Sequence, residues 1–139
     1  EPFASAQVDF DLQEKLTATV RTSPEWLRRA FDLLISNAVE AMQGSTRKKL
    51  FIKTYLSDEG IKILIADTGP GIPEEVQPKL FRSQIKKQKG VRGLGIGLLM
   101  AQTIVQAYRG DIGIESTGST GTTMWIWLPL EHEESAGRP

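Results

Sequence analysis

The chain lacks cysteine altogether and has a single histidine, His132, among its 139 residues. The absence of thiols excludes disulfides and thiolate metal sites. An excess of either charge is also missing, because 17 basic residues balance 17 acidic ones, so no overall field favours a nucleic acid or a membrane surface. No apolar run approaches the roughly 20 residues that span a bilayer. The length and composition are those of one globular domain with its own core.

The ends of the chain are polar, and the regular patterns lie between them. We expect a linker over residues 1–7, a single domain over residues 8–130 and a frayed polar tail over residues 131–139. Because the first residue is Glu1 and not methionine, we expect the chain to be a fragment of a longer protein or a processed product.

Apolar periodicity between the ends predicts strands and two long helices. Alternation at 8–12 and 16–20 indicates a hairpin, or two strands joined by a short turn. Thr22-Ser23-Pro24-Glu25 predicts the start of a helix that runs to about Met42. The remaining predicted elements are strands at 50–56 and 61–66, one or two helical turns within 72–81, an aperiodic basic loop at 82–92, a helix from about 95 to 108 that Gly110 ends, and a hairpin of strands at 112–117 and 122–128. This order predicts an α+β fold, a two-layer sandwich in which helices cover one face of a mixed, mostly antiparallel sheet.

The segment Asp67-Thr68-Gly69-Pro70-Gly71-Ile72 is the first of three stretches that could carry chemistry. It follows the apolar run 61–66, so a strand ends in a carboxylate beside two glycines. Glycine has no Cβ and lets a flat ligand lie against the backbone, where Asp67 could accept a hydrogen bond from an exocyclic amine. Taken alone, the same pattern is typical of a plain turn.

Asn37 is the second candidate, because asparagine is a mediocre helix former and here lies mid-helix near the edge of the apolar face. Its side-chain oxygen suits Mg²⁺ already held by phosphates, since that ion keeps several waters and takes only one or two protein oxygens. Ala41, one turn further on, is small enough to leave room for a base or ribose. The alternative is a boundary asparagine without a ligand.

The third candidate is Gly93-Leu94-Gly95-Ile96-Gly97-Leu98, a glycine-rich stretch that opens a predicted helix just after a basic segment. Free backbone N–H groups at a helix N-terminus form an anion site, and Lys86, Lys87, Lys89 and Arg92 could supply charge for a phosphate. A solvated run of charges is the alternative. The glycine patterns of dinucleotide-binding and Walker motifs are both absent.

Together these stretches resemble the ATP-binding catalytic domain of sensor histidine kinases, part of the GHKL superfamily with its Bergerat fold. The helical segment from Asn37 to Ala41 resembles the family's N box, Asp67-x-Gly69-x-Gly71 its first glycine box, and Leu80-Phe81 its F box. Gly93 to Leu98, followed by Ile104-Val105, resembles the second glycine box and its helix, and Gly121-Thr122-Thr123 resembles the final box. The resemblance covers nearly the whole chain, from about residue 8 to residue 130.

The resemblance implies ATP and Mg²⁺ as ligands. Asp67 would accept from the adenine amine and Asn37 would ligate Mg²⁺. Residues 82–92 would be a lid over the triphosphate. The residues implied in cofactor binding are Asn37, Ala41, Asp67, Gly69, Gly71, Ile72, Lys86, Lys87, Arg92, Gly93, Leu94, Gly95, Ile96, Gly97, Leu98, Thr122 and Thr123.

The resemblance also implies partners. Such a domain donates the γ-phosphoryl group to a histidine on a separate dimerisation domain, which would lie upstream of residue 8, and through it serves a response regulator. We expect a cytoplasmic, monomeric domain that contacts neither nucleic acid nor membrane, whether or not the parent protein is membrane-anchored.

Two residues depart from the family pattern. His132 lies in the polar tail without the helical context of a phosphoacceptor, so this chain should not phosphorylate itself. Leu33 stands one turn before Asn37, where relatives often carry a polar residue that orients or deprotonates the nucleophile, and a leucine cannot act as a base. No catalytic residue is therefore assigned. Two alternatives stay open: a serine kinase of the anti-sigma-factor type, and a non-catalytic nucleotide sensor that acts as an interaction module, which Leu33 favours.

Overall fold

The computed structural model describes residues 7–11, 20, 22–79 and 96–131. The described elements are, in chain order, β1 Gln7–Asp11, α1 Pro24–Ala41, β2 Lys49–Leu56, β3 Gly60–Asp67, a short 3₁₀ helix Gln77–Lys79, α2 Ile96–Ala107, β4 Asp111–Gly118 and β5 Gly121–Pro129. Five strands form one sheet in the order β1-β2-β3-β5-β4. β1 runs parallel to β2, and the other neighbours are antiparallel. The predicted α+β fold with a mixed, mostly antiparallel sheet is therefore confirmed.

Both described helices cover the same face of the sheet. Side chains alternate between the two faces of a strand, and every second residue of β5 from Thr122 to Leu128 is buried, as are Ile61, Ile63 and Ile65 of β3. The helices contribute apolar side chains to this one core, including Leu34 of α1 and Val105 of α2. One buried layer between helices and sheet follows from this alternation, as the sequence predicts.

The start of α1 is set by its capping residue. Ser23 has extended backbone angles, and its hydroxyl accepts a hydrogen bond from the backbone N–H of Trp26 over 3.4 Å. Pro24 occupies the first helical turn, where its missing N–H costs nothing. The helix ends at Ala41 with Met42 as its C-terminal cap, so both predicted ends of this helix are confirmed to within a residue or so.

The first strand has a different neighbour from the one that its sequence suggests. Residues 8–12 are predicted to join a strand at 16–20, whereas β1 pairs in parallel with β2, from Gln7 opposite Lys49 to Asp11 opposite Lys53. The predicted partner strand falls outside the described residues except for Val20, which is not in a strand. The basic loop predicted at 82–92 also lies outside them.

The end of α2 corrects the assignment of Gly110 as the helix terminator. The residue with left-handed backbone angles is Arg109, with φ 65°, and the backbone N–H of Gly110 donates to the carbonyl of Val105 over 3.0 Å. A glycine is needed at position 110 for another reason. A Cβ there would collide with the carbonyl oxygen of Trp127, so the close approach of the chain to β5 requires it.

One end of the sheet gathers the residues of the site. The last residue of β3, Asp67, pairs with Leu50 near the start of β2 and with Thr122 near the start of β5. The last turn of α1 lies over this end, because the position of a Cβ on Gly69 is 3.1 Å from the carbonyl oxygen of Ala41. The fold thus brings a helix end, a loop and a hairpin to one place.

Candidate functional site

Asp67 is a half-buried carboxylate at the end of the sheet where the residues of the candidate site meet. Its Oδ1 accepts a hydrogen bond from the backbone N–H of Gly69 over 2.9 Å and a longer one from the N–H of Thr122 over 3.3 Å. Both bonds of the side chain that the structure gives within the described residues end on Oδ1. The second oxygen, Oδ2, therefore accepts no hydrogen bond from the described residues and has lone pairs to offer to a further donor.

The charge state of Asp67 reflects a competition between burial and hydrogen bonding. Burial raises the pKa of this carboxyl above its ordinary value, and the hydrogen bonds from the N–H groups of Gly69 and Thr122 lower it in part. Burial has the larger effect. Ionised Asp67 is thus incompletely solvated, so a ligand that donates a hydrogen bond to Oδ2 would restore part of the lost solvation.

The loop after Asp67 is locked against the hairpin of β4 and β5. Gly71 has φ +88°, and a Cβ there would collide with the carbonyl oxygen of Gly118. On the other side, a Cβ on Gly121 would collide with the carbonyl oxygen of Asp67. Close backbone packing therefore requires glycine at both positions, and it holds the loop in direct contact with the hairpin.

Thr68 ties the same loop to the connection between α1 and β2. Its hydroxyl donates to the carbonyl of Arg47 over 2.8 Å and accepts from the backbone N–H of Lys49 over 3.0 Å. Its backbone N–H lies 3.4 Å from the sulfur of Met42, the residue that caps α1. The Asp67 loop is thereby held between the helix end on one side and the hairpin on the other.

Asn37 offers an unsatisfied oxygen on the helix that covers the site. Its Oδ1 is buried and has no hydrogen-bond partner among the described residues, a situation that costs free energy unless a ligand completes it. Asn37 lies one turn before Ala41, and residues four apart share a helix face, so the side chains of Asn37 and Ala41 lie on the same side of α1. A neutral, unpaired oxygen fits the requirement of a magnesium ligand.

The start of α2 lies against α1 just before Asn37. A Cβ on Gly97 would be in ordinary contact with Leu33, 3.8 Å from its Cδ2. The next residue, Leu98, is 1% exposed and belongs to the core. The first turn of α2 is therefore one helical turn of α1 away from Asn37, which places a helix N-terminus beside the candidate site.

The structure brings together part of the set that the sequence proposes. Asp67, Gly69, Gly71, Ala41 and Thr122 meet through the contacts described above, with Asn37 and Gly97 on the adjoining helices, and Ile72 joins them through its hydrogen bond to Thr117. Thr123 pairs with Ala66 and, by strand alternation, faces the opposite side of the sheet from Thr122. Of Ile96 only the backbone is described, as the first residue of α2. Lys86, Lys87, Arg92, Gly93, Leu94 and Gly95 lie outside the described residues.

Two residues of the site were not predicted from the sequence. Thr117 accepts a hydrogen bond from the backbone N–H of Ile72 over 2.9 Å, and its hydroxyl lies 2.8 Å from that of Thr122. Thr68 makes the contacts to Arg47 and Lys49 described above. A lone threonine carries no periodic or spacing signal, and both roles depend on which distant segment lies opposite, so the sequence alone offers no cue to them.

Residues 22–132 match the protein family described as histidine kinase-, DNA gyrase B-, and HSP90-like ATPase. The chain belongs to this family. Within it, the chain is 33% identical over 130 residues to the circadian input-output histidine kinase CikA of Synechococcus elongatus, with 88% of this chain and 17% of that protein aligned. It is 35% identical over 101 residues to the sensor protein FixL of Bradyrhizobium diazoefficiens, with 72% of this chain and 20% of that protein aligned. The chain therefore spans a fifth or less of the length of these two members of the family.

Solved structures of histidine kinases share the fold. The catalytic domain of histidine kinase ThkA superposes with a TM-score of 0.74 at 22% identity, covering 89% of this chain and 80% of that one. Full-length ShkA in complex with AMPPNP superposes with a TM-score of 0.73 at 20% identity, covering 91% of this chain and 26% of that one. Both have the ATPase-family fold described here. No helix among the described residues is long and apolar enough to cross a membrane.

Proposed function

We propose that this chain binds Mg-ATP as the catalytic domain of a sensor histidine kinase and donates the γ-phosphoryl group to a histidine on a separate dimerisation domain. The observation that carries the proposal is the half-buried Asp67, whose Oδ1 accepts from two backbone N–H groups while Oδ2 has no donor among the described residues. The adenine amine is a donor of the kind that this oxygen lacks. Membership of the ATPase family supports the same conclusion.

The surroundings of Asp67 suit a flat base. Gly69 and Gly71 add no side chains to the loop beside Asp67, because their Cβ positions face the carbonyls of Ala41 and Gly118. The hydrogen bond from the backbone N–H of Ile72 to Thr117 fixes the backbone of the apolar residue that follows. A protonated Asp67 would lose its charge and most of its strength as an acceptor. The ionised carboxylate thus selects a base that presents an amine over one that presents a carbonyl oxygen at that place.

The phosphates would extend towards α1 and the start of α2. Asn37 would hold Mg²⁺ through its unpaired Oδ1, and the N-terminal turn of α2 beside Leu33 would present backbone N–H groups to an anion. Bound Mg²⁺ supplies charge neutralisation to phosphoryl transfer, in which positioning and electrostatics account for most of the catalysis. The chain's own residues would orient the nucleotide and keep its phosphate chain in place.

The acceptor of the phosphoryl group would come from outside this chain. The one histidine, His132, follows β5 and lies outside the described residues. Similarity to CikA and FixL, which are far longer than this chain, supports a dimerisation domain in the same protein as the acceptor and a response regulator beyond it. The substrate of the enzyme is thus a histidine side chain of another domain.

A second candidate function is a nucleotide sensor that transfers nothing. Leu33 favours it, because this apolar side chain packs near Gly97 at the position one turn before Asn37. A leucine there offers no group that could orient or deprotonate an attacking nucleophile. In this case ATP would change the surface that the domain presents to a partner, and nucleotide binding would be the whole function.

Calorimetry with ATP and ADP, each with and without Mg²⁺, tests the binding that both candidates share. Incubation of the chain with radiolabelled ATP and an isolated histidine-containing dimerisation domain from a relative then separates them. Acid-labile label on the partner domain is expected for the kinase. Nucleotide binding without any label on the partner would leave the sensor, and no binding of ATP or ADP would overturn both.

A further inference from the structure

Three separate segments of the site meet at the hydroxyl group of Thr117. It lies in β4, accepts from the backbone N–H of Ile72 in the Asp67 loop over 2.9 Å, and lies 2.8 Å from the hydroxyl oxygen of Thr122 in β5. Thr122 in turn donates its backbone N–H to Oδ1 of Asp67. Thr117 therefore connects the wall of the proposed base pocket with the strand that holds its carboxylate.

A register shift in the hairpin places Thr117 there. Ile112 pairs with Ile126 and Ile114 with Met124, and an uninterrupted ladder would pair Glu115 with Thr123 and then Ser116 with Thr122. The irregularity between Ile114 and Ser116 moves the register by one residue, so that Thr117 and not Ser116 lies opposite Thr122. An extra residue in one strand redirects the side chains that follow it. Ser116 is exposed as a result.

The hydrogen bonds of the two hydroxyls can be counted. Each hydroxyl has one proton to donate and two lone pairs that accept. The N–H of Ile72 occupies one lone pair of Thr117, which leaves the other lone pair and the proton for Thr122. Thr122 is only 6% exposed, so Thr117 is the partner that satisfies its hydroxyl inside the protein. If Thr117 donates, the proton of Thr122 is available to a ligand, and the paired hydroxyl is a stronger donor for being itself an acceptor.

We propose that Thr117 is a positioning residue for base recognition, which orients the hydroxyl of Thr122 and the backbone of Ile72 against the base of a bound adenine nucleotide. This inference rests on the proposed nucleotide-binding function. Thr117 acts on the base end of the ligand, because its contacts run to Ile72, Thr122 and through Thr122 to Asp67. Among the described residues, neither of its hydrogen bonds runs to Asn37 or α2, where the phosphates would lie.

The tight packing around Thr117 prevents the loop from compensating for its loss. The loop and the hairpin already meet at Gly71 against Gly118 and at Gly121 against Asp67. Removal of the Thr117 hydroxyl would therefore leave the N–H of Ile72 and the hydroxyl of Thr122 without their partner, since the backbone has no room to approach. Each such loss weakens the arrangement that the base would contact.

Binding measurements on Thr117→Val, Thr117→Ser and Ser116→Ala test the proposal. Valine matches threonine in shape without the hydroxyl, serine retains the hydroxyl, and Ser116→Ala removes a hydroxyl from the exposed neighbour. The probes are ADP, adenosine and inorganic tripolyphosphate, followed by shifts of backbone amide signals in NMR titrations, with thermal unfolding recorded for each variant. Thr117→Ala serves as a second hydroxyl-free variant if Thr117→Val does not fold.

The hydroxyl-free variant is expected to bind ADP and adenosine roughly tenfold more weakly than the wild type, with tripolyphosphate binding unchanged. Thr117→Ser and Ser116→Ala should bind ADP like the wild type. Equal weakening of all three probes, which a general loss of structure would give, would overturn the inference, and so would unchanged ADP binding in the hydroxyl-free variant. If the wild type bound no ADP at all, the proposed function would fail, and this inference with it.

Discussion

Asp67 and Thr122 lie 55 positions apart in the chain, face each other across β3 and β5, and are joined by a hydrogen bond from the backbone N–H of Thr122 to Oδ1 of Asp67 over 3.3 Å. With the bond from Gly69, this contact uses one oxygen of the carboxylate, and the other has no donor in the part of the chain that the structure describes. The protein itself thus fixes the direction in which the open oxygen points. A ligand that donates at that place meets a carboxylate already oriented for it.

Substitution of Asp67 by asparagine should weaken ADP binding by roughly 10- to 150-fold, because hydrogen bonds to charged groups contribute about 1.5–3 kcal/mol. Asparagine retains the shape of the side chain and one acceptor oxygen but loses the charge. Calorimetric titration measures the change. Asp58→Asn is the matched control, because Asp58 is exposed in the turn between β2 and β3. Equal affinity of Asp67→Asn and the wild type would mean that Asp67 is only a turn residue.

Substitution of Gly71 by alanine should lower the free energy of unfolding by about 2–4 kcal/mol, since it adds a Cβ both to a left-handed backbone and against the Gly118 carbonyl. Urea denaturation measures this, with two controls from the same chain. Gly44 also has φ +88° but has no atom within 4 Å of a Cβ position, so Gly44→Ala should cost about 1–2 kcal/mol.

The second control separates backbone strain from collision. A Cβ on Gly118 would also meet nothing within 4 Å, and its φ is not in the left-handed range, so Gly118→Ala should change the free energy of unfolding by less than about 0.5 kcal/mol. A loss for Gly71→Ala no greater than that for Gly44→Ala would show that the loop does not depend on its contact with Gly118.

Substitution of Asn37 by alanine should remove the contribution of Mg²⁺ to ATP binding, a loss of roughly tenfold or more in the presence of the ion. ATP affinity without Mg²⁺ should be retained. Because Oδ1 of Asn37 is buried and unpaired, the free energy of unfolding should not fall. Calorimetry with and without Mg²⁺ measures the first effect, and urea denaturation the second. Ser36 is an exposed neighbour on the same helix, so Ser36→Ala should change neither the ATP affinity nor the free energy of unfolding. Equal ATP affinity of the wild type with and without Mg²⁺ would contradict the assignment of Asn37.

The free energy of unfolding should depend on pH because the carboxyl group of Asp67 is partly buried. Its pKa is raised in the folded state, chiefly by desolvation, so the folded chain retains the proton at pH values where the unfolded chain has released it. The stabilisation that this gives is fully present below the ordinary pKa of an aspartate, about 3.9, and is lost as the pH rises through the raised pKa of the folded state. Asp67→Asn cannot ionise and lacks this dependence.

Urea denaturation of both proteins over a pH series tests this directly. The free energy of unfolding of the wild type minus that of Asp67→Asn should decrease as the pH rises from below the aspartate range. An increase of that difference over the same range would mean that the hydrogen bonds from Gly69 and Thr122 outweigh burial, and that the pKa of Asp67 is lowered.

Substitution of Arg109 by glycine should stabilise the chain by about 0.5–1 kcal/mol. Arg109 ends α2 with φ 65°, a conformation that is costly for a residue with a Cβ and free for glycine. Gln106→Gly, at an exposed position within the same helix, should have the opposite sign and cost about 1 kcal/mol. Thermal unfolding compares the two variants, and a lower melting temperature for Arg109→Gly would contradict the expectation.

Much of the fold was predictable because local sequence patterns determine where its helices and strands begin and end. The capping sequence from Thr22 to Glu25 predicts the start of α1, and the apolar run ending at Asp67 predicts β3 and the carboxylate at its end. The partner of β1 was not predictable in the same way, because β2 lies some forty residues further along the chain. Strand pairing at that distance depends on burial and register across the whole sheet, which no short window contains.

The sequence by itself determined which elements form, the α+β class, and the placement of Asp67, Gly69 and Gly71 directly after a strand, since period, capping and glycine act over a few residues. Only the tertiary structure decided that Arg109 and not Gly110 adopts the left-handed conformation, that one oxygen of Asp67 is occupied by Gly69 and Thr122, and that Thr117 lies opposite Thr122. The physical reason is that each feature depends on tertiary packing. Gly110 approaches Trp127 of β5 closely, and Thr122 reaches Asp67 from 55 positions away in the chain. The one-residue register shift between Ile114 and Ser116 determines which side chain lies opposite Thr122.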